Sequence, residues 1–435
     1  MKRNYLLSII VIGLIILSLY STHAMFTASV TTNDIVNLSA STIPTNTETI
    51  EYERLTIKSK EKKVIEFTVS NNTNSSLYYG VWYEMIKPTS INDDIVIGKK
   101  EDTQNDTLGQ LSSNTNAKVS FVIENKTSSS IIINIGVGYS STSSLNLPTN
   151  RYLITDIYKE GVIATDYVIN LYNSASKSNF TNNSIQYERA KSVSLMTDVG
   201  GNIRYYGADP NNYVSFNNEL WRIIGVFKEI DDGTGNVETR VKIARNASIG
   251  NYSWDSNNEN EWPTATLQTY LNGDYLNSLS AEAQGMIGNA KWNLGGSPTF
   301  RRLYANDYYT FERGTTVYSG RSTEWIGKIA LMYPSDYMYA GDLSKCSKDG
   351  FNWDTDQANC RDTSWLRNTS TFQWTLSPDS SVSNSVFIVR DSGFVSSSSY
   401  SVVTYSYASR PVLYLSSTVE IIGGDGTSGN PFTLN

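Results

Sequence analysis

The sequence predicts a chain of two folded parts, a β-sandwich followed by an α+β domain, behind a short apolar segment at its start. Three observations predict this order. Short alternating strands with polar turns fill residues 27–172, strands with two helices share residues 192–435, and an uncharged apolar run covers residues 5–20. A chain of 435 residues with 39% hydrophobic residues is long enough to build more than one core.

The apolar run at the start has the pattern of an export segment. Lys2 and Arg3 precede it, and the small residues Thr22 and Ala24 follow it at the spacing of a cleavage site. Its length lies between that of a cleaved signal peptide and that of a membrane-spanning helix, so residues 1–26 are consistent with both. In both cases the positive charges stay inside and the remainder of the chain is exported. We therefore expect the protein at the cell surface, held in the membrane by its N-terminal helix with the C-terminal part outside, or secreted.

Residues 27–172 predict a β-sandwich of immunoglobulin-like type. Apolar residues recur with period two along residues 119–123, and an apolar strand begins at Ile131 after a polar turn. Alternation of this kind, without a helical period, is typical of antiparallel sandwiches. Residues 173–191 are polar and show neither period, which predicts a linker between the two domains.

Residues 192–435 combine strands with helices. A meander of three strands is expected within residues 203–244, because two polar turns separate three apolar stretches. One helix is expected at residues 263–273, where a proline lies near the start and Asn-Gly marks the end. A second helix is expected to begin at Ser280, which is a good N-cap residue. Residues 386–395 predict a closing hairpin around a Gly-containing turn, so the domain is α+β.

Four segments of this second domain stand out as motifs. They read Asn-Glu-Leu-Trp-Arg-Ile-Ile-Gly at 218–225, Leu-Gln-Thr-Tyr-Leu-Asn-Gly-Asp-Tyr at 267–275, Trp-Thr-Leu-Ser-Pro at 374–378 and Arg-Pro-Val-Leu at 410–413. They resemble a family of uncharacterised surface proteins from low-GC Gram-positive bacteria, many of them from the gut. The resemblance covers residues 195–435 and implies a fold similar to the C-type-lectin-like or sulfatase-modifying-factor fold. Its motifs carry no known chemistry.

Cys346 and Cys360 are the only cysteines of the chain, and both lie in the exported part. Thiols outside the cell are oxidised by default, so we expect a structural disulfide between them. A metal site or a redox pair is the alternative, although two thiols supply only half of a zinc site.

Charge and histidine usage exclude several classes of function. A net charge of −7 without a Lys/Arg-rich run argues against nucleic acid as a partner. The only histidine is His23, inside the export segment. The exported domains therefore lack the histidine of a Ser-His-Asp or Cys-His nucleophile and of a His-ligated metal site. We expect no catalytic residues and no enzyme activity, and a hydrolase that uses two carboxylates is the alternative.

The loop between the cysteines carries oxygen ligands of the kind that calcium prefers. These are Asp349, Asn352, Asp354 and Asp356. Their close spacing suits Ca²⁺, although the glycine and the distal glutamate of an EF-hand are missing. Calcium is therefore the one cofactor that the sequence suggests, and a loop without a metal is the alternative.

Aromatic residues gather in and around the same loop. The candidates for ligand contact are Tyr337, Trp353, Trp365 and Trp374. Aromatic faces stack on sugars and anchor protein interfaces, but the same rings also fill cores. From these observations we expect a non-catalytic adhesion or ligand-binding module for a glycan or a protein. The alternatives are a structural subunit of an extracellular matrix or fibre, and a carbohydrate-active hydrolase.

Overall fold

The computed structural model describes most of the chain after residue 50. The described residues are 31–32, 51–71, 73–91, 94–99, 107–143, 145, 147–158, 160–299, 303–346, 358–397 and 402–435. The predicted export segment, residues 1–26, lies outside them, and no helix among them is long and apolar enough to cross a membrane. The chain divides into two units, Met1–Glu160 and Gly161–Asn435, which we call the N-terminal and the C-terminal unit.

Two mainly antiparallel sheets build the described part of the N-terminal unit. One contains, in spatial order, Thr31–Thr32, Glu61–Asn71, Thr115–Asn125 and Ile95–Lys99. The other contains Glu51–Ile57, Ile131–Ser140, Leu77–Lys87 and Leu108–Leu111, with Tyr152–Leu153 also paired to Leu77–Lys87. Thr31–Thr32 runs parallel to its neighbour, and the other pairs are antiparallel.

The core of the N-terminal unit contains alternate side chains from both sheets, because successive residues of a strand point to opposite faces. Phe121 and Ile123 from one sheet and Ile133 and Ile135 from the other are fully buried in it. The predicted β-rich architecture is therefore confirmed here as two sheets around one core. Its immunoglobulin-like type stays a prediction.

Three sheets with helices around them build the described part of the C-terminal unit. The largest has twelve strands. Its main row is, in spatial order, Val162–Ile163, Glu420–Gly423, Phe432–Leu434, Tyr213–Phe216, Glu219–Asp231, Ile203–Tyr205, Leu195–Thr197, Ile185–Ala190 and Ser178–Asn182. Val237–Arg245 pairs with Glu219–Asp231 and with Val412–Tyr414, and Ile329–Ala330 follows on the other side of Val412–Tyr414.

The second sheet, which we call the five-stranded sheet, contains strands from two separate stretches of the unit, residues 251–253 and 373–408. Its order is Asn251–Ser253, Ser406–Ala408, Gln373–Pro378, Val386–Val389 and Val395–Ser396. A separate antiparallel pair joins Ala290–Asn293 to Glu324–Gly327. The five-stranded sheet includes the predicted closing hairpin, which is confirmed by the antiparallel pairing of Val386–Val389 with Val395–Ser396.

The helices of the C-terminal unit are short. The α-helices are Ala164–Ser174, Thr266–Tyr270, Leu276–Ser278, Ala281–Met286, Ala305–Glu312, Pro334–Tyr339 and Ala358–Arg361. A π-helical turn, Leu271–Tyr275, joins the second of these to the third. The 3₁₀ turns are Lys191–Val193, Trp262–Thr264 and Leu343–Lys345.

The predicted linker, residues 173–191, is wrong because these residues are folded into the C-terminal unit. Ser178–Asn182 pairs with Ile185–Ala190 as a hairpin at the end of the large sheet. Its turn holds Asn183 and Ser184 at positive φ angles of 48° and 61°. The hairpin is exposed on part of its surface, where polar residues are expected, so low hydrophobicity alone does not identify a linker.

The boundary between the units is also earlier than predicted. Ala164–Ser174, which falls within the predicted sandwich, is a helix whose residues Ala164, Val168 and Tyr172 enter the core of the C-terminal unit. Their spacing of four residues places them on one helix face. The boundary therefore falls between residues 160 and 161 instead of at 172.

The two helices predicted for the second domain are present, with one difference in length. Ser280 caps Ala281–Met286, because its hydroxyl accepts a hydrogen bond from the Ala283 amide at 3.1 Å. The preceding helix does not end at Gly273. The π-helical turn carries the chain through the Asn-Gly pair and on to Ser278, so these residues do not act as a stop signal.

Candidate functional site

The aromatic residues predicted to contact a ligand are core residues wherever the structure describes them. Tyr337, Trp365 and Trp374 are 0%, 6% and 1% exposed. Their polar hydrogens are donated to the main-chain carbonyl oxygens of Gly393, Tyr205 and Tyr252, in that order. The ligand-contact prediction is therefore wrong for these three residues, which fill the core instead. A buried ring with a satisfied polar atom presents no surface to a ligand. Trp353 lies outside the described residues.

The disulfide between Cys346 and Cys360 is confirmed, with a Cα–Cα distance of 4.8 Å. The residues predicted to bind calcium lie on the loop between these cysteines and outside the described residues; they are Asp349, Asn352, Asp354 and Asp356. Among the residues that are described, no group of three or more His, Cys, Asp and Glu side chains is placed to hold a metal ion. The calcium site stays a prediction.

A row of aromatic side chains, which we call the aromatic strip, is associated with the five-stranded sheet. Its members are Tyr252, Tyr270, Phe372, Tyr405 and Tyr407. Tyr252 and Tyr407 are opposite each other on neighbouring antiparallel strands, so both side chains leave the sheet on the same side. Tyr405 stacks on Tyr407 with ring centroids 5.5 Å apart, and Phe372 lies 5.2 Å from Tyr407. At the other end, Tyr270 stacks on Tyr252 at 5.0 Å.

The strip is partly open to solvent and is supported from inside. Tyr405 is 39% exposed, and the other four rings are half-buried. Trp374 is buried with its ring centroid 4.7 Å from that of Tyr407, and its Nε1 donates to the Tyr252 carbonyl at 2.7 Å. Trp374 therefore positions the strip, although it does not itself reach the surface.

Polar groups border the strip. The hydroxyls of Tyr252 and Tyr270 are hydrogen-bonded to each other at 3.2 Å. The guanidinium of Arg390 lies 5.2 Å from the centre of the Phe372 ring. The strip thus combines flat apolar faces with hydrogen-bonding groups at its edges.

The π-helical turn fixes the position of Tyr270 against the sheet. Asn272, inside this turn, accepts a hydrogen bond from the Ile329 amide at 3.0 Å and donates to the Ile329 carbonyl at 2.8 Å. The helix is thereby held to the strand Ile329–Ala330 of the large sheet. π-Helical turns occur often at functional sites, because the extra residue shifts which side chains point outward.

Sequence reasoning missed the members of the strip. Tyr405 and Tyr407 are separated by one serine, which is the period-two signal of a strand with one aromatic face. Tyr252 and Phe372 lie far from them along the chain, so only the strand pairing brings the rings together.

A second cluster, which we call the ion chain, lies inside the C-terminal unit. It consists of Asp198, Arg204, Asp336 and Lys242. Arg204 Nε lies 2.5 Å from Asp198 Oδ2, and Arg204 Nη1 lies 2.8 Å from Asp336 Oδ1. Lys242 Nζ donates to Asp336 Oδ2. All four side chains are at most 1% exposed. Two cations and two anions balance, which is the condition under which buried charges are tolerated.

Aromatic rings surround the lysine of the ion chain. Their centroids lie 4.4 to 5.4 Å from Lys242 Nζ and belong to Tyr333, Phe227, Trp292 and Tyr414. Burial among these rings lowers the pKa of Lys242 to about 8, although Asp336 opposes the shift. Burial would raise the pKa of Asp336, but Lys242 and Arg204 outweigh it and hold that pKa below its ordinary value.

A third buried carboxyl lies close to the ion chain. Glu312 accepts hydrogen bonds from the Ser335 amide at 2.8 Å and from the Ser335 hydroxyl, and Arg313 Nη1 lies 3.2 Å from its Oε2. Burial raises the pKa of Glu312 to about 7, against the opposing effects of Arg313 and Ser335. Perturbed pKa values of this kind occur at functional sites and also in structural ion networks.

A family model described as a domain of unknown function (DUF6273) matches residues 238–417. This segment contains the whole aromatic strip and two members of the ion chain, Lys242 and Asp336. No curated protein matches the chain. A solved structure, the periplasmic inhibitor of g-type lysozyme PliG from Aeromonas hydrophila, is similar at 8% identity over 25% of this chain and 100% of that chain. The TM-score of 0.15 is too low to define a common fold. The C-type-lectin-like fold implied by the sequence motifs stays a prediction.

Proposed function

We propose that this chain is an exported, non-catalytic binding protein and that the aromatic strip binds a glycan. The observation that supports the proposal is the partial exposure of five aromatic rings in one row over a rigid base. A sugar ring has an apolar face that covers an aromatic ring well, and its burial there removes apolar surface from water. Tyr405 stacks on Tyr407 and Tyr252 on Tyr270, so the faces proposed to contact sugar are the outer faces of these pairs.

Hydrogen-bonding groups at the edges of the strip support a sugar over a purely apolar ligand. Hydroxyl groups both donate and accept, so the paired hydroxyls of Tyr252 and Tyr270 match those of a sugar. Arg390 supplies donors beside Phe372, where a carboxylated or neutral sugar unit is accommodated.

The disulfide supports an extracellular location for the proposed binding. Disulfides persist in oxidising compartments, and Cys346–Cys360 joins the two cysteines of the chain. Together with the export segment expected at residues 1–26, it favours a protein that meets glycans at or beyond the cell surface.

The proposal is tested by binding the purified exported protein to a glycan array and to insoluble polysaccharides, with calcium and with a chelator. We expect binding that Tyr405→Ala weakens by about 1–2 kcal/mol, roughly five- to thirty-fold. Tyr152→Ala is the matched control, because Tyr152 is 55% exposed in the N-terminal unit and lies outside the strip. Its affinity should equal that of the unsubstituted protein.

The other functions predict different results in the same preparation. Concentration-dependent filaments without glycan binding would favour a matrix or fibre subunit. Release of soluble sugars from a polysaccharide would favour a hydrolase and contradict the non-catalytic reading. If Tyr405→Ala binds the glycan as strongly as Tyr152→Ala does, the glycan binds elsewhere and the role of the strip is refuted.

A further inference from the structure

The contact between Lys242 and Asp336 brings an amine and a carboxyl together in a dry interior. Lys242 Nζ donates to Asp336 Oδ2, and both side chains are fully buried. The two residues lie on different elements, the strand Val237–Arg245 and the helix Pro334–Tyr339. A covalent bond between them would therefore join the large sheet to a helix across 94 residues of sequence.

We propose that Lys242 and Asp336 condense after folding into an intramolecular isopeptide bond between Nζ and Cγ. The bond that forms is Nζ–Cγ, and the bond that breaks is Cγ–Oδ2. Of the three ammonium hydrogens, one passes to Oδ2, a second leaves with Oδ2 as water, and the third stays on the amide nitrogen. The step is a dehydration without change of oxidation state, so it needs neither an oxidant nor another reactant.

The hydrogen bonds at Asp336 distinguish its two oxygens in the way that this step requires. Oδ2 accepts from Lys242 Nζ and from the Tyr333 amide at 2.9 Å, so it is the oxygen beside the attacking nitrogen and beside a donor. Oδ1 accepts from Arg204 Nη1 at 2.8 Å and remains as the amide oxygen. Arg204 is therefore the fixed donor at Oδ1, the oxygen that remains and carries the negative charge of the tetrahedral intermediate. A donor in this position stabilises such an intermediate.

The charges of the ion chain remain balanced after the condensation. The reaction removes one cation, Lys242, together with one anion, Asp336. Arg204 keeps Asp198 as its ion-pair partner through the 2.5 Å contact at Nε. No charge is left uncompensated in the interior, where an unpaired ion is costly.

Burial favours the neutral amine of Lys242 and holds it against Asp336. Among the aromatic rings the pKa of Lys242 is lowered to about 8, so the free amine that attacks is accessible near neutral pH. Fixed contact between two reacting groups acts like an effective concentration of roughly 10⁵–10⁸ M. The pairing with Arg204 opposes protonation of Asp336, so we expect the reaction to be slow relative to folding.

Peptide mapping of the purified full chain tests the proposal without any variant. After reduction and alkylation, trypsin cannot cleave after an acylated Lys242. We expect residues 241–245 to be recovered linked to residues 329–345, lighter by one water molecule than the two peptides together. Lys291 is the internal control, because this amine lies 3.1 Å from Asp231 at the surface and should be cleaved normally.

Lys242→Arg keeps a positive charge but removes the reactive amine. The variant should show the mass of its sequence at these residues and no linked peptide. The proposal is overturned if trypsin cleaves after Lys242 in the unsubstituted protein and residues 329–345 are recovered at their full mass. That result would leave the ion chain as a plain buried ion network, and it can be obtained even if Lys242→Arg does not fold.

Discussion

Replacing Glu312 by glutamine should change how the stability of the C-terminal unit depends on pH. Glu312 is buried, and its carboxyl is bonded to Ser335 and lies beside Arg313. Its pKa is about 7 in the folded chain, against an ordinary value of 4.5. Between these values the folded chain holds a proton that the unfolded chain has lost. The free energy of unfolding of the unsubstituted protein therefore falls as pH rises from 4.5 to 7.

The size of the effect follows from the two pKa values. At about 1.4 kcal/mol for each pKa unit, the shift from 4.5 to about 7 corresponds to about 3 kcal/mol. Glutamine stays neutral across this range, so the stability of Glu312→Gln relative to the unsubstituted protein should rise by that amount between pH 4.5 and 8. Other titrating groups are common to both proteins and cancel in the difference.

Urea denaturation followed by tryptophan fluorescence measures this difference. Eight of the nine tryptophans lie after residue 220, so the signal reports mainly on the C-terminal unit. Glu259→Gln is the matched control, because the side chain of Glu259 is 51% exposed and pairs with Arg321 at the surface. Its difference from the unsubstituted protein should change little with pH. Parallel pH curves for Glu312→Gln and the unsubstituted protein would refute the assignment of a protonated Glu312 to the folded state.

Three other contacts lead to predictions of different size. Arg204→Ala leaves the buried Asp198 without its partner and should lower the free energy of unfolding by about 3–5 kcal/mol. Arg245→Ala, whose partner Glu219 is 38% exposed, should cost less, about 1 kcal/mol, and equal losses in urea denaturation would contradict this. Asn272→Ala removes two hydrogen bonds to one buried strand and should cost about 1–3 kcal/mol in the same assay, and an unchanged midpoint would argue against that role. Reduction of Cys346–Cys360 opens a loop with a sequence separation of 14 and should cost about 3 kcal/mol, and thiols that react with a label before reduction would disprove the bridge.

Local sequence patterns predicted the strands well, because their signals lie within a few residues. The alternation at residues 119–123 lies in the strand Thr115–Asn125. The meander predicted within residues 203–244 is present with four strands, because its first segment divides into Ile203–Tyr205 and Tyr213–Phe216. Ser280 identified a helix start for the same reason, since a cap bonds to an amide three residues away.

The ion chain could not be predicted, because its contacts join distant parts of the sequence. Arg204 and Asp336 are separated by 132 residues. Lys242 lies between Val241 and Ile243, and this alternation predicts a strand with one face in water. In the structure this strand has neighbours on both edges and is buried on both faces, so the lysine points into the interior.

The aromatic residues predicted as ligand contacts show the opposite problem. Tyr337, Trp365 and Trp374 lie within 40 residues of one another in the sequence, yet their burial depends on which face of each element meets the core. Large aromatic rings supply much of the apolar area of a core, so a dense run of them marks buried structure more often than a surface site.

The order of strands in the large sheet bears on how the C-terminal unit can be produced and studied. The family match ends inside this sheet, since Val237–Arg245 lies almost entirely within residues 238–417 and its neighbour Glu219–Asp231 lies outside. A fragment cut at those limits would uncover the long edge of a buried apolar strand, and such edges recruit other chains into aggregates. Recombinant work on the strip or the ion chain therefore calls for residues 161–435 at least, and the shared segment is better regarded as the inner part of a larger folding unit.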